Sequence, residues 1–263
     1  MKSNYVWLKI LEEAQIDPFL WEKVSPQIPK KAFHNLNLQP KNFIPIYSEK
    51  ERKRKLGFRD NIWPFRNGIG RCVLIDGDLS LKNNYSNPSN ADLYCVENYN
   101  AASVSLNNSK TEREFLHLAY NSGVFNQLLS SKKLSLGTSG KLYVNAIASY
   151  FKPIELQTVQ FELDWSLETK DTIALFEAKL PTTNKSNTNK TSEFIIFQAF
   201  YPILYASQIK HSKKIRFFFV DIIRSTFKVD FHFIEIDFKN PMDLQSYNNI
   251  PKYSTTIRMK INK

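Results

Sequence analysis

Cysteine and histidine are scarce in this chain, with two and four residues among 263. Cys72 and Cys95 show neither metal-ligand spacing nor a disulfide framework, so we expect two reduced thiols. The histidines are scattered along the sequence, which argues against a zinc site or a Cys-His mechanism. Glycine is scarce too, and the glycine loop at residues 67–71 lacks the third glycine and the following helix of a dinucleotide-binding fingerprint.

Long apolar runs are also missing. The longest, residues 194–206, contains Gln198 and Pro202 and is too short to span a bilayer. The first residues include Glu12 and Glu13 and lack the apolar core and cleavage site of a signal peptide. We therefore expect a cytoplasmic bacterial protein with no membrane partner. A content of 42% hydrophobic residues is ample for the core of one large or two small domains.

Acidic residues are outnumbered, which gives a formal net charge of +11. This is the balance of a phosphate-binding protein, although the bias toward Lys, Asn, Ile and Phe is also what an AT-rich genome produces. Two basic clusters are more informative than the sum. They comprise residues 50–55 with Arg59, Arg66 and Arg71, and Lys210 with Lys213, Lys214 and Arg216. Each cluster either follows a DNA backbone or forms a solvated face, and both interpretations remain open.

Two short runs of sequence predict a β-hairpin. Apolar and polar residues alternate over residues 160–168, the period of a half-buried strand, and this turns Asp164 away from the apolar face. Residues 168–172 have the composition of a turn, and residues 173–180 form a second run rich in large apolar residues. A turn of three or four residues would place Asp164 opposite Glu177 or one position away.

This hairpin would gather two carboxylates and an ammonium group. Glu177 and Lys179 share one face, whereas Asp171 lies in the turn and is not expected at the site. Mg²⁺ keeps several waters, so Asp164 and Glu177 would suffice to hold it against a phosphate, and Lys179 would supply positive charge where negative charge develops. The alternative is an ordinary surface hairpin with solvated side chains, because an Asp…Glu-x-Lys pattern is frequent by chance.

A longer span resembles the core of the PD-(D/E)XK nuclease superfamily and, more narrowly, a group of bacterial type II restriction endonucleases. In that group a Gln-x-Glu-x-Asp strand, a Glu-Ala-Lys strand and a Gln-x-x-Tyr-Pro helix follow one another, as do residues 160–164, 177–179 and 198–202 here. The similarity extends to a hairpin at residues 215–238 and, more weakly, to residues 61–73. The proline that names the superfamily is absent before the aspartate, so the match depends mainly on the Glu-Ala-Lys half.

The resemblance implies an α/β (α+β) fold with a mixed central sheet flanked by helices in residues 111–263. Residues 1–110 would form a mainly helical region that takes part in DNA recognition. The implied activity is that of a type II restriction endonuclease, with Mg²⁺ as cofactor and double-stranded DNA as substrate. Cutting both strands calls for a homodimer, and the host would need a cognate DNA methyltransferase. The alternatives are a structure-specific repair or junction-resolving nuclease of the same superfamily, and a DNA-binding protein without catalysis.

Carried over to this sequence, the resemblance implies Asp164 and Glu177 as metal ligands and Lys179 as the catalytic lysine. Gln198 would point from a helix toward the site, although a core amide satisfied by the backbone explains it equally. Glu112 is a fifth candidate, because these nucleases often place an acid on the helix before the sheet. Residues 111–129 predict that helix. The alternative for Glu112 is a first-turn acid that interacts favourably with the helix dipole.

Contacts with DNA are predicted in the basic clusters. The predicted residues are Arg66, Asn67, Arg71, Lys213 and Lys214. Gly68 and Gly70 would let the backbone approach DNA closely, although the sequence favours a plain turn. The remaining predictions concern single segments. They are helices at residues 5–14 and 18–24, a Trp-Pro turn at residues 63–64, strands at residues 72–75 and 215–220, a bulge within residues 227–238, and a polar loop at residues 182–192 that either closes over DNA or has no function.

Overall fold

The computed structural model of the chain describes residues 3–46, 48–81, 93–98, 109–180, 194–209, 212–225, 228–247 and 253–261. The polar loop predicted at residues 182–192 lies outside these ranges. Among the described residues, no helix combines the length and the apolar character needed to cross a membrane.

Helices and strands are both well represented in the described ranges. The helices are α1 (Ser3–Glu13), α2 (Lys30–His34), α3 (Glu49–Leu56), α4 (Glu112–Asn121), α5 (Val124–Leu129) and α6 (Phe197–Gln208). The strands are β1 (Ile62–Gly68), β2 (Arg71–Asp76), β3 (Ser80–Leu81), β4 (Leu93–Asn98), β5 (Ser135–Leu136), β6 (Gly140–Tyr150), β7 (Lys152–Leu163), β8 (Trp165–Glu168), β9 (Thr172–Lys179), β10 (Phe194–Ile195), β11 (Lys214–Ser225), β12 (Lys228–Ile236) and β13 (Tyr253–Ile261).

The largest sheet is mixed, and its described strands follow the order β4-β13-β12-β11-β9-β8-β5. β9 and β11 are parallel neighbours, since α6 lies in the connection between them, whereas β8–β9 and β11–β12 are antiparallel pairs. Each face carries its own hydrophobic cluster, with Leu175 and Phe217 in one and Phe176 and Phe218 in the other. Side chains of α6 join the first cluster, and those of α4 and α5 join the second. The predicted mixed sheet flanked by helices is confirmed.

A second sheet has the order β2-β1-β7-β6. It combines strands from both predicted regions of the chain, because β1 touches β7 in a parallel pairing of Gly68 with Gln157. In the same way β4 pairs with β13 in the largest sheet. The amino-terminal region therefore contains strands as well as α1, α2 and α3, and it is less helical than predicted. Trp7, Phe33 and Leu56 anchor its helices in the first hydrophobic cluster. The domain division at residue 110 stays a prediction.

The predicted strand at residues 160–168 is interrupted at Asp164. Residues up to Leu163 belong to β7 in the second sheet, and β8 begins at Trp165 in the largest sheet. Phe161, Leu163 and Trp165 are all buried, so the alternation continues across the break. A change of sheet therefore leaves no mark on the local pattern.

The predicted helix at residues 111–129 consists of two helices, α4 and α5. Gly123 separates them with a left-handed φ of 79°, a conformation that glycine adopts without the steric penalty of a side chain. α4 begins with a capping box, in which Thr111 and Glu114 each accept a backbone hydrogen bond from the other. Both short helices nevertheless pack on the same face of the largest sheet, in the second hydrophobic cluster.

The helix predicted at residues 18–24 is not formed. Val24 makes an isolated antiparallel bridge to Ile75, and the Ser25 N–H donates to the Leu74 carbonyl. The segment thus runs along β2 instead of coiling. Long-range backbone pairing has overridden the local pattern here. The helix predicted at residues 5–14 agrees with α1 to within two residues at each end.

Trp63 and Pro64 were predicted to form a turn, but they lie within β1. Pro64 faces Leu74 of β2, and in the described part of the chain the pairing of β1 with β7 is confined to Gly68. One side of β1 is therefore unpaired at Pro64, and a residue without an N–H is tolerated there.

The bulge predicted within residues 227–238 is also absent from the described part of that segment. β12 pairs without a register shift with both β11 and β13. Residues 231–236 are all buried, because hydrophobic clusters cover both faces of the sheet. The apolar pattern changes phase because this strand buries apolar residues on both of its faces.

Candidate active site

β8 and β9 form the antiparallel hairpin predicted from the sequence. Trp165 lies opposite Phe176. Asp164 precedes Trp165 and therefore lies next to Glu177 on the partner strand. The Ala178 N–H donates a hydrogen bond of 2.8 Å to Asp164 Oδ2. Asp164 leaves one sheet just as the next begins, so its carboxylate is fixed at the junction of the two sheets.

Glu177 is at the centre of the polar cluster. Its Oε1 lies 2.9 Å from Lys179 Nζ and also accepts a hydrogen bond from Gln198 Nε2. Gln198 Oε1 in turn accepts from the Ile195 N–H at 3.1 Å. Gln198 is therefore both an amide satisfied by backbone and a donor to the carboxylate, so the two interpretations of this residue are compatible. It comes from the first turn of α6, which packs beside β9.

Glu112 combines the two interpretations proposed for it. It lies in the first turn of α4, and its Oε1 accepts a hydrogen bond of 3.4 Å from the Leu180 N–H at the end of β9. Its half-buried side chain also lines the same cleft as Glu177. Asp171 lies in the exposed turn of the hairpin, as predicted.

A cleft of about 490 Å³ encloses these side chains. All five predicted site residues line it. Several other residues that line the cleft were not predicted to be part of the site. They include Lys41, Trp63, Gln160, Glu162 and Tyr201. Gln160 and Glu162 precede Asp164 in steps of two, so their alternation was a usable signal. Lys41 and Trp63 come from distant segments, and no local pattern identifies them.

Burial dominates the electrostatics of the cluster. Desolvation raises the pKa of Glu177 to about 7, because Lys179 only partly compensates for the loss of water and Asp164 adds a like charge. Burial also raises the pKa of Asp164, with Glu112 and Glu162 as further like charges. Burial lowers the pKa of the Lys179 ammonium, but Glu177 and Asp164 outweigh it, so the net direction is upward.

The charges in the cleft are unbalanced in a way that favours a cation. Four carboxylates line the cleft, those of Glu112, Glu162, Asp164 and Glu177, against three cations, those of Lys41, Arg66 and Lys179. Asp164, Glu177 and Glu112 each have a carboxylate oxygen that accepts no hydrogen bond within the described residues. No group of three or more His, Cys, Asp or Glu side chains in those residues is arranged to hold a metal ion. A cation would therefore depend on two carboxylates and water, which suits Mg²⁺ better than zinc.

The five residues predicted to contact DNA are not brought together. Arg66 lines the cleft, and its Nη1 donates to the Gln160 carbonyl at 2.9 Å. The other four lie elsewhere. Asn67 is buried, Arg71 binds the Gln157 side chain, Lys213 forms an ion pair with Glu168, and Lys214 is exposed.

The basic cluster at residues 50–55 is partly internal. Arg52 is 1% exposed and pairs with Glu49, and Lys55 is buried beside Glu51. These two cations are committed to α3 and its surroundings. They are not available to a DNA backbone.

Comparison with known protein families gives a match over more than half of the chain. A family model described as "Domain of unknown function (DUF6997)" matches residues 82–254. No curated protein and no solved structure matches the chain.

Proposed function

The chain belongs to the DUF6997 family, whose description assigns no activity, and we propose from the site itself that the protein is a Mg²⁺-dependent DNA endonuclease. The proposal is hydrolysis of phosphodiester bonds in double-stranded DNA to leave 5′-phosphates, as a type II restriction enzyme does. One observation carries it. Asp164, Glu177, Lys179 and Gln198 come from three segments, since Glu177 and Lys179 share β9, and they meet in one cleft through direct hydrogen bonds or adjacent strand positions.

The residues present fit a divalent cation. Asp164 and Glu177 would hold it, because both are largely desolvated and both retain a free oxygen. When bound, Mg²⁺ would neutralise the phosphate and lower the pKa of a water molecule. Glu177 must be ionised to serve as a ligand. With its pKa raised to about 7, we expect metal binding and activity to increase as the pH rises from about 6 to about 8.

Lys179 and Gln198 have separate roles in this proposal. The Lys179 ammonium stays charged, since the pKa of Lys179 is raised. It would stabilise negative charge on the phosphate or on the attacking oxygen. Gln198 is a positioning residue, because its amide connects the Glu177 carboxylate to the Ile195 backbone. A fixed carboxylate lowers the reorganisation required when the cation and the phosphate arrive.

The order of elements supports the comparison with the PD-(D/E)XK superfamily. The hairpin β8–β9 is followed by α6 and then by the hairpin β11–β12, which is the order that the resemblance implies. As a restriction enzyme, the protein would act as a homodimer so that two sites cut the two strands. A cognate methyltransferase would protect the host.

The test is incubation of the purified protein with unmethylated phage DNA in Mg²⁺ and, in parallel, in EDTA. Lys179→Ala and Asp164→Asn should abolish cleavage. Lys170→Ala and Asp171→Asn are matched controls, because these side chains are exposed in the turn of the same hairpin, and both should cleave like the wild type.

Discrete fragments that disappear with EDTA would support the restriction enzyme, and mapping their ends would give the recognition site. Cleavage of branched substrates alone would favour a repair or junction-resolving nuclease. If the wild-type protein cleaves none of these DNAs while binding them, a DNA-binding protein without catalysis would replace the proposal.

A further inference from the structure

A second groove continues from the active-site cleft. It has a volume of about 380 Å³ and shares Lys41, Ile44, Arg66 and Gln160 with the first cleft. Its far end lies between α2 and the turn that joins β1 to β2. The two cavities are therefore neighbours that meet at these four residues.

The sign of the charge changes between the two cavities. The first cleft contains the carboxylates of the site. The lining of the second groove includes Lys30, His34, Lys41 and Arg66, and no acidic side chain among the described residues. A groove of this composition attracts a polyanion along its length. The acidic cleft at its end would need a cation before it could accept the next anionic group.

The lysines of the groove are also uncommitted. Lys30 and Lys41 are exposed, and neither forms an ion pair within the described part of the chain. Other basic residues are neutralised by acids, such as Arg59 by Asp76 and Arg216 by Glu235. No acidic side chain of the described residues lines the groove itself, and Lys30 lies outside the acidic cleft that Lys41 and Arg66 also border.

Contacts within the protein fix the shape of the groove before any ligand binds. Gly70 has φ of 74°, and a Cβ atom built on it would lie 2.8 Å from Cγ of Lys30, so the stem of Lys30 rests on this glycine. At the junction of the cavities, Tyr201 donates a hydrogen bond of 2.7 Å to the Arg66 carbonyl. Gly70 therefore makes room for the Lys30 side chain. The sequence had predicted a different role, in which the glycine backbone approaches DNA closely.

We propose that this groove binds the phosphate backbone of duplex DNA beside the scissile phosphate. Lys30 and Lys41 contact successive phosphates, and Arg66 stands at the junction with the active site. The inference rests on the proposed function, because it takes the first cleft as the place of cleavage. It assigns a DNA-binding role to α2 and the segment after it, which the sequence did not single out.

The test is a binding measurement without metal. Fluorescence anisotropy of a labelled DNA duplex in EDTA would give Kd between about 50 and 200 mM NaCl for the wild type and for Lys30→Ala/Lys41→Ala. Each lost phosphate contact lowers the slope of log K against log salt by about 0.9. The wild type should therefore weaken about tenfold more than the double variant over this range. Lys132→Ala/Lys133→Ala is the matched control, because both lysines are exposed and neither lines the two cavities.

Cleavage of unmethylated phage DNA in Mg²⁺, which offers many candidate recognition sites, separates the two hypotheses. If the wild type cleaves and the double variant keeps the wild-type salt dependence, the groove assignment is wrong and the nuclease stands. If the wild type does not cleave but the double variant alone loses salt-dependent binding, the groove is a DNA site and the nuclease proposal fails. Tighter binding of duplex RNA than of DNA by the wild type would also overturn the assignment.

Discussion

Replacing Glu177 with glutamine should change how the stability of the protein depends on pH. Glu177 is buried beside Lys179, and its pKa is raised to about 7 from an ordinary value of 4.5. The folded protein therefore binds this proton more tightly than the unfolded chain does. The stabilisation that the proton provides is fully present below the ordinary pKa and is lost as the pH rises through the folded pKa.

The magnitude follows from the two pKa values. A tenfold difference in proton affinity corresponds to about 1.4 kcal/mol, so wild-type Glu177 loses about 3 kcal/mol of stability between acid and neutral pH. Its side chain is only 10% exposed, so solvent screening reduces this figure little. Glutamine does not ionise, so the variant does not lose this stability as the pH rises. At acid pH the wild-type Glu177 is protonated and neutral like glutamine, and its attraction to the Lys179 ammonium at higher pH is already included in the pKa of about 7.

Urea unfolding at pH ~5 and ~8, in EDTA, compares the variant with the wild type. The difference in unfolding free energy between Glu177→Gln and the wild type should shift in favour of the variant by about 2.5 kcal/mol from the lower to the higher pH, because pH ~5 already lies above the ordinary pKa of 4.5. Glu22→Gln is a suitable control, because that glutamate is exposed, and its difference from the wild type should stay constant.

A pH-independent difference for Glu177→Gln would show that the carboxylate is not desolvated as the structure indicates.

The same urea unfolding assay with added Mg²⁺ tests Glu177 as a metal ligand. At pH ~8 a saturating cation should stabilise the wild type by about 2.7 kcal/mol at a concentration of 100 times Kd. It should have little effect on the variant. Equal stabilisation of both proteins would remove Glu177 from the set of metal ligands.

Two further substitutions test the parts of the fold that support the site. Phe176→Ala should lower the unfolding free energy by about 3–5 kcal/mol, because Phe176 is fully buried and stacks on Phe218 with ring centroids 5.3 Å apart. Urea unfolding would measure this loss, and a value below ~1 kcal/mol would contradict the packing. Thr111→Ala should lower the unfolding free energy by about 1 kcal/mol by removing the cap of α4, whereas Thr111→Ser should retain most of the stability that the cap provides. Equal stability of the two variants in thermal unfolding would argue against the capping box.

The hairpin of the site could be predicted because its information is local. Alternation of apolar residues fixed the faces, and the polar turn fixed the register, which together bring Asp164 beside Glu177. Gly123 was also a readable signal, since a glycine after Ser122 commonly marks the end of a helix. The single helix predicted there gave too much weight to the continuing apolar pattern.

The remaining parts of the site depend on tertiary structure. Nothing in the alternation around Asp164 indicates that the chain changes sheets at this residue. Lys41 and Trp63 reach the cleft because α1–α3 and β1 pack against the same hydrophobic cluster as α6. Segments so distant in sequence are brought together by packing, and local periodicity carries no information about it.

A purely structural ion pair does not account for the composition of this cleft. Apolar side chains of similar volume usually replace a buried pair without loss of stability, yet here Glu177 stays desolvated while Asp164 and Glu112 add further negative charge. Lys41, Arg66 and Lys179 supply three positive charges to the four carboxylates that line the cleft. Without a cation, ionisation of the buried Glu177 lowers stability near neutral pH, because its pKa is raised by desolvation. This cost, beside a groove that no acidic side chain of the described residues lines, is the physical ground on which we propose that the cleft receives a cation and the groove a polyanion.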